Sequence, residues 1–250
     1  MVIDAYNNAW RPVGTSDYLT GDSYTTEELL RGLDEAGTDK AVVCSLGQQI
    51  DNEYISSLTA EYPDRLIGFA EVNPRAEDAV ETIEEFIGRG PLRGLKLHPT
   101  MHGYHFADHG LLDPIFAACA TWRAPILVNA LDDPFCGPFA VEEISRGFPE
   151  VPVLLAHMGH VWNAMEAMIV AGRHEHIYLE SSSTDLLEVK TAYDKVGPGK
   201  IVMGTDWPGN AFDLERLKIA RAVPDEADRA LVEGGNLEAI LALRPAESTS

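Results

Sequence analysis

The chain has 250 residues, 45% of them hydrophobic, a composition that excludes general disorder and is sufficient for one large α/β domain or two smaller ones. The formal net charge of −21 argues against a nucleic-acid partner, because binding to a polyphosphate depends on basic residues that release counterions. The three cysteines are too few and too scattered for a disulfide framework or a zinc knuckle.

Short apolar runs alternate with amphipathic segments along the whole chain. The runs are rich in Val, Ile and Leu without strict alternation, which is typical of parallel strands covered on both faces. Strands are predicted at 2–6, 40–44, 66–72, 94–97, 125–129, 152–156, 177–180 and 200–204. Helices are predicted around 26–36, 51–62, 76–89, 111–122, 138–147, 161–172, 185–196 and 211–221.

Repeated strand–helix units without any linker composition predict a (β/α)8 barrel in a single domain at 1–245. A doubly wound open sheet is the alternative, and the number of strands favours closure. Residues 225–243 predict a C-terminal helical cap on the barrel, and 246–250 predict a frayed tail.

Polar side chains follow several of the predicted strands, and the carboxyl ends of the strands are where such barrels carry their chemistry. The eighth strand leads into Asp206 and Trp207, and the sixth leads into His157 and then His160. The first, fourth and fifth strands lead into further candidates, namely Tyr6, Asn8, Trp10, Lys96, His98 and Asn129. We therefore predict one shared site, with Asp206 and His157 as its proton-handling pair.

This series of strand ends resembles the amidohydrolase superfamily, in particular the amidohydrolase-related branch with enzymes similar to aminocarboxymuconate-semialdehyde decarboxylase. The resemblance covers nearly the whole chain and is most specific at 94–99, 156–159 and 204–208. It implies a TIM barrel that holds a divalent metal through a His-x-His pair after the first strand, a His after the fifth or sixth, and an Asp after the eighth. Such a metal activates water or polarises a substrate oxygen.

The sequence departs from that metal-binding pattern at most of its positions. Tyr6 and Asn8 take the places of the first His pair, Asn129 takes the place of the fifth-strand His, and only His157 and Asp206 remain. Amide oxygens and protonated phenols are poor zinc ligands. We therefore expect no cofactor and no tightly bound metal; a divalent ion such as zinc, if bound, would be held through His157 and Asp206.

Other histidines offer an alternative cation site near the barrel mouth. It would combine Asp206 and Glu180 with the five imidazoles of His98, His102, His105, His109 and His160. The simpler interpretation is that these imidazoles form hydrogen bonds in their loops, because their spacing matches no known ligand pattern.

The pattern favours an enzyme that acts on a small polar or carboxylated metabolite. Hydrolysis is the first choice, with Asp206 as general base and His157 assisting, and the superfamily's metal-independent lactonase branch is a parallel. Decarboxylation or another lyase reaction, isomerisation and cyclisation in specialised metabolism are alternatives, and so is a non-catalytic ligand-binding barrel. We expect the substrate to be bound by Tyr6, Asn8, Trp10, Asn129, His160 and Trp207, with one of Lys96 and His98 binding an anion and the other supporting its loop.

Location and partners are expectations from the same sequence. It shows neither a signal-peptide pattern nor an apolar run of the roughly 18–20 residues that a membrane helix needs. We expect a cytoplasmic protein whose partner is a small-molecule substrate, with no nucleic acid and no membrane. Barrels of this family often dimerise, so a homodimer is one arrangement that the resemblance allows.

Overall fold

The protein is described by a computed structural model over residues 1–11, 24–47, 49–132 and 134–243. Within these residues one sheet of eight strands follows the chain order, and each neighbouring pair is parallel. The strands are β1 (Ile3–Asp4), β2 (Lys40–Val43), β3 (Leu66–Glu71), β4 (Gly94–Leu97), β5 (Ile126–Asn129), β6 (Val153–Ala156), β7 (Ile177–Glu180) and β8 (Ile201–Val202). All eight predicted strands are confirmed. The predicted tail at 246–250 lies outside the described residues.

The last strand meets the first, which closes the sheet into the predicted (β/α)8 barrel. The amide of Ala5 donates to the carbonyl of Met203 at 2.9 Å, and the amide of Asp206 donates to the carbonyl of Tyr6 at 2.7 Å. The buried Asp4 carboxylate reinforces this seam by accepting from the backbone amide and the hydroxyl of Thr205. The open-sheet alternative is therefore wrong.

Helices surround the barrel and connect its strands. They are α1 (Thr26–Ala36), α2 (Asn52–Glu61), α3 (Ala79–Ile83), α4 (Pro99–His102), α5 (His109–Trp122), α6 (Pro138–Ser145), α7 (His160–Arg173), α8 (Leu186–Val196), α9 (Phe212–Ala222), α10 (Glu226–Ala230) and α11 (Asn236–Ala242). A π-helical turn (Leu231–Gly235) joins α10 to α11 and packs against β1 and β8, which confirms the predicted C-terminal cap. No helix in the described ranges is long and apolar enough to cross a membrane.

The apolar side chains of the strands fill two layers. Val42, Leu127 and Leu154 belong to the cluster inside the barrel, together with side chains of the C-terminal cap. Val43 and Val128 belong to the larger cluster between the sheet and the helices. Because both faces of each strand are covered, most strands appear in the sequence as largely apolar runs without strict alternation. Polar side chains are left to the carboxyl ends of the strands, where the candidate site lies.

Candidate active site

Two polar clusters occupy the carboxyl ends of the strands. The lysine cluster consists of Asn8, Glu71, Lys96 and Asp206, and the histidine cluster consists of Asn129, His157, Glu180 and Ser182. Tyr6 lies between the clusters, with its ring centroid 5.1 Å from the Lys96 ammonium and 5.5 Å from the His157 ring.

The lysine cluster is built around a fully buried ammonium group. Lys96 Nζ donates to Asn8 Oδ1 at 3.0 Å and to the carbonyl oxygen of Ser45 at 2.8 Å. The equally buried carboxylate of Glu71 lies 3.7 Å from the same nitrogen. Asn8 Nδ2 in turn donates to Asp206 Oδ1 at 2.9 Å. The amide of Asn8 therefore links the ammonium to a carboxylate that is partly exposed.

The charges of this cluster follow from burial and from the neighbouring groups. Burial raises the pKa of Asp206 to about 6, although Lys96 and the hydrogen bond from Asn8 lower it. Burial also raises the pKa of Glu71 to about 7, against the lowering effect of Lys96. For Lys96, burial acts to lower the pKa, but the surrounding acidic groups outweigh it and the pKa is raised. The lysine therefore remains a cation at neutral pH.

Asp206 occupies an uncommon backbone conformation directly after β8. Its φ of 60° lies in the left-handed region, which residues other than glycine rarely adopt, and Ser183 opposite it has a φ of 56°. The side chain of Ser183 forms a hydrogen bond with the Asp206 carboxylate. Such conformations persist where the surrounding structure holds them, and they cluster at functional sites.

The histidine cluster is a chain of hydrogen bonds through a neutral imidazole. Asn129 Nδ2 lies 2.9 Å from His157 Nε2, and Ser182 Oγ lies 3.0 Å from His157 Nδ1. Ser182 Oγ donates to Glu180 Oε2 at 2.7 Å. Because the Asn129 amide can donate to Nε2, the network places the ring proton on Nδ1, from which it is donated to Ser182.

Burial sets the charge of the histidine cluster as well. It lowers the pKa of His157 to about 3, so the imidazole is neutral. It raises the pKa of Glu180 to about 8, against the hydrogen bonds from Ser182. Burial also raises the pKa of Tyr6 far above its usual value, so the phenol remains a hydrogen-bond donor. Its oxygen lies 3.4 Å from Asn129 Nδ2.

The segment after β6 places a second histidine at the barrel mouth. Its four residues all have positive φ, with values of 63° at His157, 51° at Met158, 76° at Gly159 and 49° at His160. The partly exposed ring of His160 contacts Asp132 Oδ2 through Nδ1 at 2.9 Å. The other oxygen of Asp132 accepts from two amides in the first turn of α7.

The remaining candidates have supporting positions. His98 Nδ1 accepts from the Met101 amide at 3.4 Å and so caps α4, and burial lowers the pKa of His98 to about 3. Trp10 and Trp207 stack with ring centroids 6.5 Å apart. We interpret His98 as supporting its loop and the tryptophans as a wall beside Asp206. Lys96 is fully buried and bonds to Asn8 and Ser45, so the structure does not place it to bind an anion.

The structure brings the predicted residues to one end of the barrel but divides them between the two clusters. His157 and Asp206 bond to different partners, and no hydrogen bond joins them among those of the described residues. Sequence reasoning missed Glu71 and Ser182, and it named Glu180 only as a ligand of an alternative cation site. Glu71 and Glu180 are the last residues of β3 and β7. A polar residue at the carboxyl end of a strand is also the feature from which Asp206 was predicted.

A divalent metal does not fit these side chains. Within the described ranges, no group of three or more His, Cys, Asp or Glu side chains could hold a metal ion. The amide of Asn8 contacts Asp206, and the ammonium of Lys96 lies directly behind that amide. A second cation beside Asp206 would be repelled by the lysine.

The loop histidines do not form a shared cation site either. His102 bonds to the carbonyl oxygen of Gly47, and His109 bonds to Asp113. His160 bonds to Asp132, as described above. Within the described part of the chain, the alternative cation site is therefore not formed.

Comparisons with known proteins agree with this architecture. An uncharacterised TIM-barrel protein from Bordetella bronchiseptica superposes with a TM-score of 0.81 at 17% identity, over 97% of this chain and 98% of that one. The 5-carboxyvanillate decarboxylase of Sphingomonas paucimobilis gives 0.75 at 18% identity, over 96% and 98%. A probable 2-pyrone-4,6-dicarboxylic acid hydrolase from Acinetobacter baumannii gives 0.72 at 15% identity, over 96% and 99%. These likenesses show the fold.

The family follows from the sequence itself. No curated protein sequence matches the chain. The protein-family profile described as Amidohydrolase matches residues 7–243, which is nearly the whole chain. The chain therefore belongs to the amidohydrolase family.

Proposed function

We propose that the protein is a metal-independent hydrolase of a small cyclic, carboxylated metabolite, with Asp206 as its general base. The observation that carries the proposal is the partly exposed carboxylate of Asp206, which Asn8 and Ser183 hold at the barrel mouth. Its pKa of about 6 suits a base that must be ionised near neutral pH and still accept a proton.

The reaction would be the opening of a cyclic ester by water. Asp206 takes a proton from a water molecule, and the oxygen of that water forms a bond to the carbonyl carbon. The bond between that carbon and the ring oxygen then breaks, and the proton held by Asp206 passes to the departing oxygen. Asp206 is thereby returned to its carboxylate form, so no further proton donor is required.

The phenol of Tyr6, held by the histidine cluster, would stabilise the negative charge that develops on the carbonyl oxygen. Tyr6 remains protonated and accepts from Asn129 Nδ2, so its own O–H is the donor offered to that oxygen. His157 assists by fixing the amide of Asn129 through Nε2 rather than by carrying charge. Trp10, Trp207 and His160 would border the bound substrate, and neither a cofactor nor a macromolecular partner takes part.

Decarboxylation is the second candidate. It is favoured by the similarity to a 5-carboxyvanillate decarboxylase and by the high pKa of Glu180, about 8, which keeps this acid protonated at neutral pH. The protonated Glu180 would act as a proton reserve for the carbanion that forms when carbon dioxide leaves. In this reaction a carbon–carbon bond breaks, whereas in hydrolysis a carbon–oxygen bond breaks.

The test is product analysis after chelator treatment. The protein is incubated in ¹⁸O-labelled water with a panel of carboxylated lactones, hydroxybenzoates and β-keto acids. We expect one ¹⁸O atom in the ring-opened acid, no released carbon dioxide and no loss of rate after removal of metal. Carbon dioxide without ¹⁸O in the product would establish the second candidate, and no turnover of any panel member would favour the ligand-binding barrel.

A further inference from the structure

Lys96 stands out because it is a charged side chain that is fully buried at the centre of the site. We propose that its ammonium is the built-in cation of this barrel, takes over the electrostatic role of a divalent metal and fixes Asn8, which in turn positions Asp206. The inference rests on the proposed function only in treating Asp206 as the base. Lys96 is a positioning residue, since its contacts are with protein atoms.

The hydrogen-bonding capacity of lysine fixes the orientation of Asn8. An ammonium group has three donors and no acceptor, so only the oxygen of the Asn8 amide can face it. That oxygen lies 3.0 Å from Lys96 Nζ, and the amide nitrogen consequently lies 2.9 Å from Asp206 Oδ1. The reversed amide would place NH₂ against the ammonium and oxygen against the carboxylate. Lys96 therefore determines that Asp206 receives a donor.

The second contribution of Lys96 is its charge. Charges interact more strongly in a buried environment than in water, so a buried ammonium influences the neighbouring carboxylates strongly. Glu71 at 3.7 Å compensates this charge, and at that distance it contributes charge rather than a short hydrogen bond. The lysine can thus remain ionised without a solvent contact.

The lysine also explains why an asparagine stands at position 8, where the family resemblance implies a metal-binding histidine. A divalent ion on Asp206 Oδ1 would compete with the Asn8 amide, which Lys96 holds in place. A neutral amide at position 8 accepts from the ammonium through its oxygen and donates to the carboxylate through its nitrogen at the same time. Asn8 is therefore suited to a site whose cation is lysine.

A double-mutant cycle tests the connection. Lys96→Met and Asn8→Ser should each lower kcat about 10-fold or more while KM stays within about 2-fold, because the interaction acts on the base. If Lys96 acts through Asn8, the combined variant loses no more than the worse single variant. Losses that multiply would overturn the proposal. Lys195→Met, an exposed change in the last turn of α8, is the matched control and leaves kcat unchanged.

Folding is controlled separately, because removing the ammonium alone leaves the buried Glu71 unpaired. Lys96→Met is therefore also combined with Glu71→Gln, which removes both charges. This variant should fold and still show the reduced kcat. Recovery of wild-type kcat in the uncharged variant would show that the ammonium is not needed, and the proposal would fail.

A readout without substrate separates this inference from the proposed function. In ¹H–¹⁵N spectra, Lys96→Met should shift the side-chain amide signals of Asn8. Those of Asn7 should stay in place, since its amide donates to Asp4 Oδ1 and to the carbonyl of Val42. An unmoved Asn8 signal contradicts the proposal even if hydrolysis is found. A stoichiometric metal that is lost in Asp206→Asn would also contradict it, as would a ¹³C carbamate signal on Lys96 after labelling with bicarbonate.

Discussion

The two clusters of the site are both largely buried, yet they differ in charge. In the lysine cluster an ammonium with a raised pKa lies beside Glu71 and close to Asp206. In the histidine cluster the imidazole has a pKa of about 3 and Glu180 has a pKa of about 8, so both are uncharged at neutral pH. Burial acts in the same direction on both sides, but only the lysine cluster pairs opposite charges. A buried group therefore remains ionised where a group of opposite charge lies beside it.

This difference suggests a division of tasks within one barrel mouth. In the proposed reaction the lysine cluster keeps a carboxylate available as a base, and the histidine cluster holds the neutral phenol of Tyr6, which donates to the substrate oxygen. Each of the following substitutions alters one of the two clusters or a residue that contacts it.

The largest effect is expected for the base itself. Asp206→Asn keeps the size of the side chain but removes its ability to accept a proton, so kcat should fall by about 10²–10⁴. Steady-state kinetics on the substrate found in the panel measure this loss. Asp213→Asn, an exposed change in the first turn of α9, serves as the control. An Asp206→Asn enzyme with intact kcat would show that the lysine cluster supplies no base.

The next effect concerns stability and pH in the histidine cluster. Glu180 has a pKa of about 8 in the folded protein, against an ordinary value of 4.5. Between these values the unfolded chain loses this proton first, so the contribution of Glu180 to stability is present below pH 4.5 and is lost as pH rises to 8. The contribution of Glu180 to the free energy of unfolding that is lost over this pH range is at most about 5 kcal/mol.

Denaturant unfolding at pH 5 and pH 8 measures this contribution. Because other buried acids share the trend, the informative quantity is the difference between the wild type and Glu180→Gln. The variant has no proton to lose at this position, so its stability should fall less over the same interval. Identical pH slopes would mean that Glu180 is ionised in the folded protein and that the histidine cluster is not neutral.

A smaller effect is expected where the seam of the barrel meets the histidine cluster. A Cβ atom added at Gly204 would lie 2.1 Å from Glu180 Oε1 and 3.1 Å from the Tyr6 amide nitrogen. Gly204→Ala should therefore destabilise the protein by about 1–3 kcal/mol, which lowers Tm. At Gly199 the added atom meets nothing within 4 Å, so Gly199→Ala is the matched control. Equal Tm values for the two variants would refute this account of the contact.

The smallest effect is expected at Ser182, whose hydroxyl joins His157 to Glu180. Ser182→Ala removes this link, but the backbone carbonyl of Ser182 remains 3.3 Å from His157 Nδ1. The free energy of unfolding should fall by about 0.5–1.5 kcal/mol, the usual net contribution of one hydrogen bond. A loss as large as that caused by removing a buried charge would indicate that His157 is charged. Chemical denaturation at neutral pH measures this change in the free energy of unfolding.

The fold could be predicted from sequence because its signal is local. Most strands are apolar runs bounded by an amphipathic helix, and the predicted ranges correspond to β1–β8 within two residues at either end. The short helix α4 was not predicted, since its four residues (Pro99–His102) are too few to show a helical period.

The site could be predicted only in part, because its chemistry depends on contacts between distant segments. Asp206 and His157 were found as polar residues that follow apolar runs. Glu71 ends β3, but the predicted strand at 66–72 included it, and Ser182 has no titratable group that would mark it as a candidate. Glu71 lies in β3 and Lys96 in β4, so no local sequence pattern predicts that the two side chains pair.

The seam between the first and last strands has a consequence for how the protein acquires activity. Asn8 and Asp206 are 198 positions apart in the chain, and they meet only when β8 has docked beside β1. Contacts of such long sequence separation form late in folding, because the chain between them must first be ordered. If Asp206 is the base, as proposed, a nascent polypeptide that has completed seven strands still lacks the Asn8–Asp206 contact, and the onset of turnover during refolding would time the final closure of the barrel.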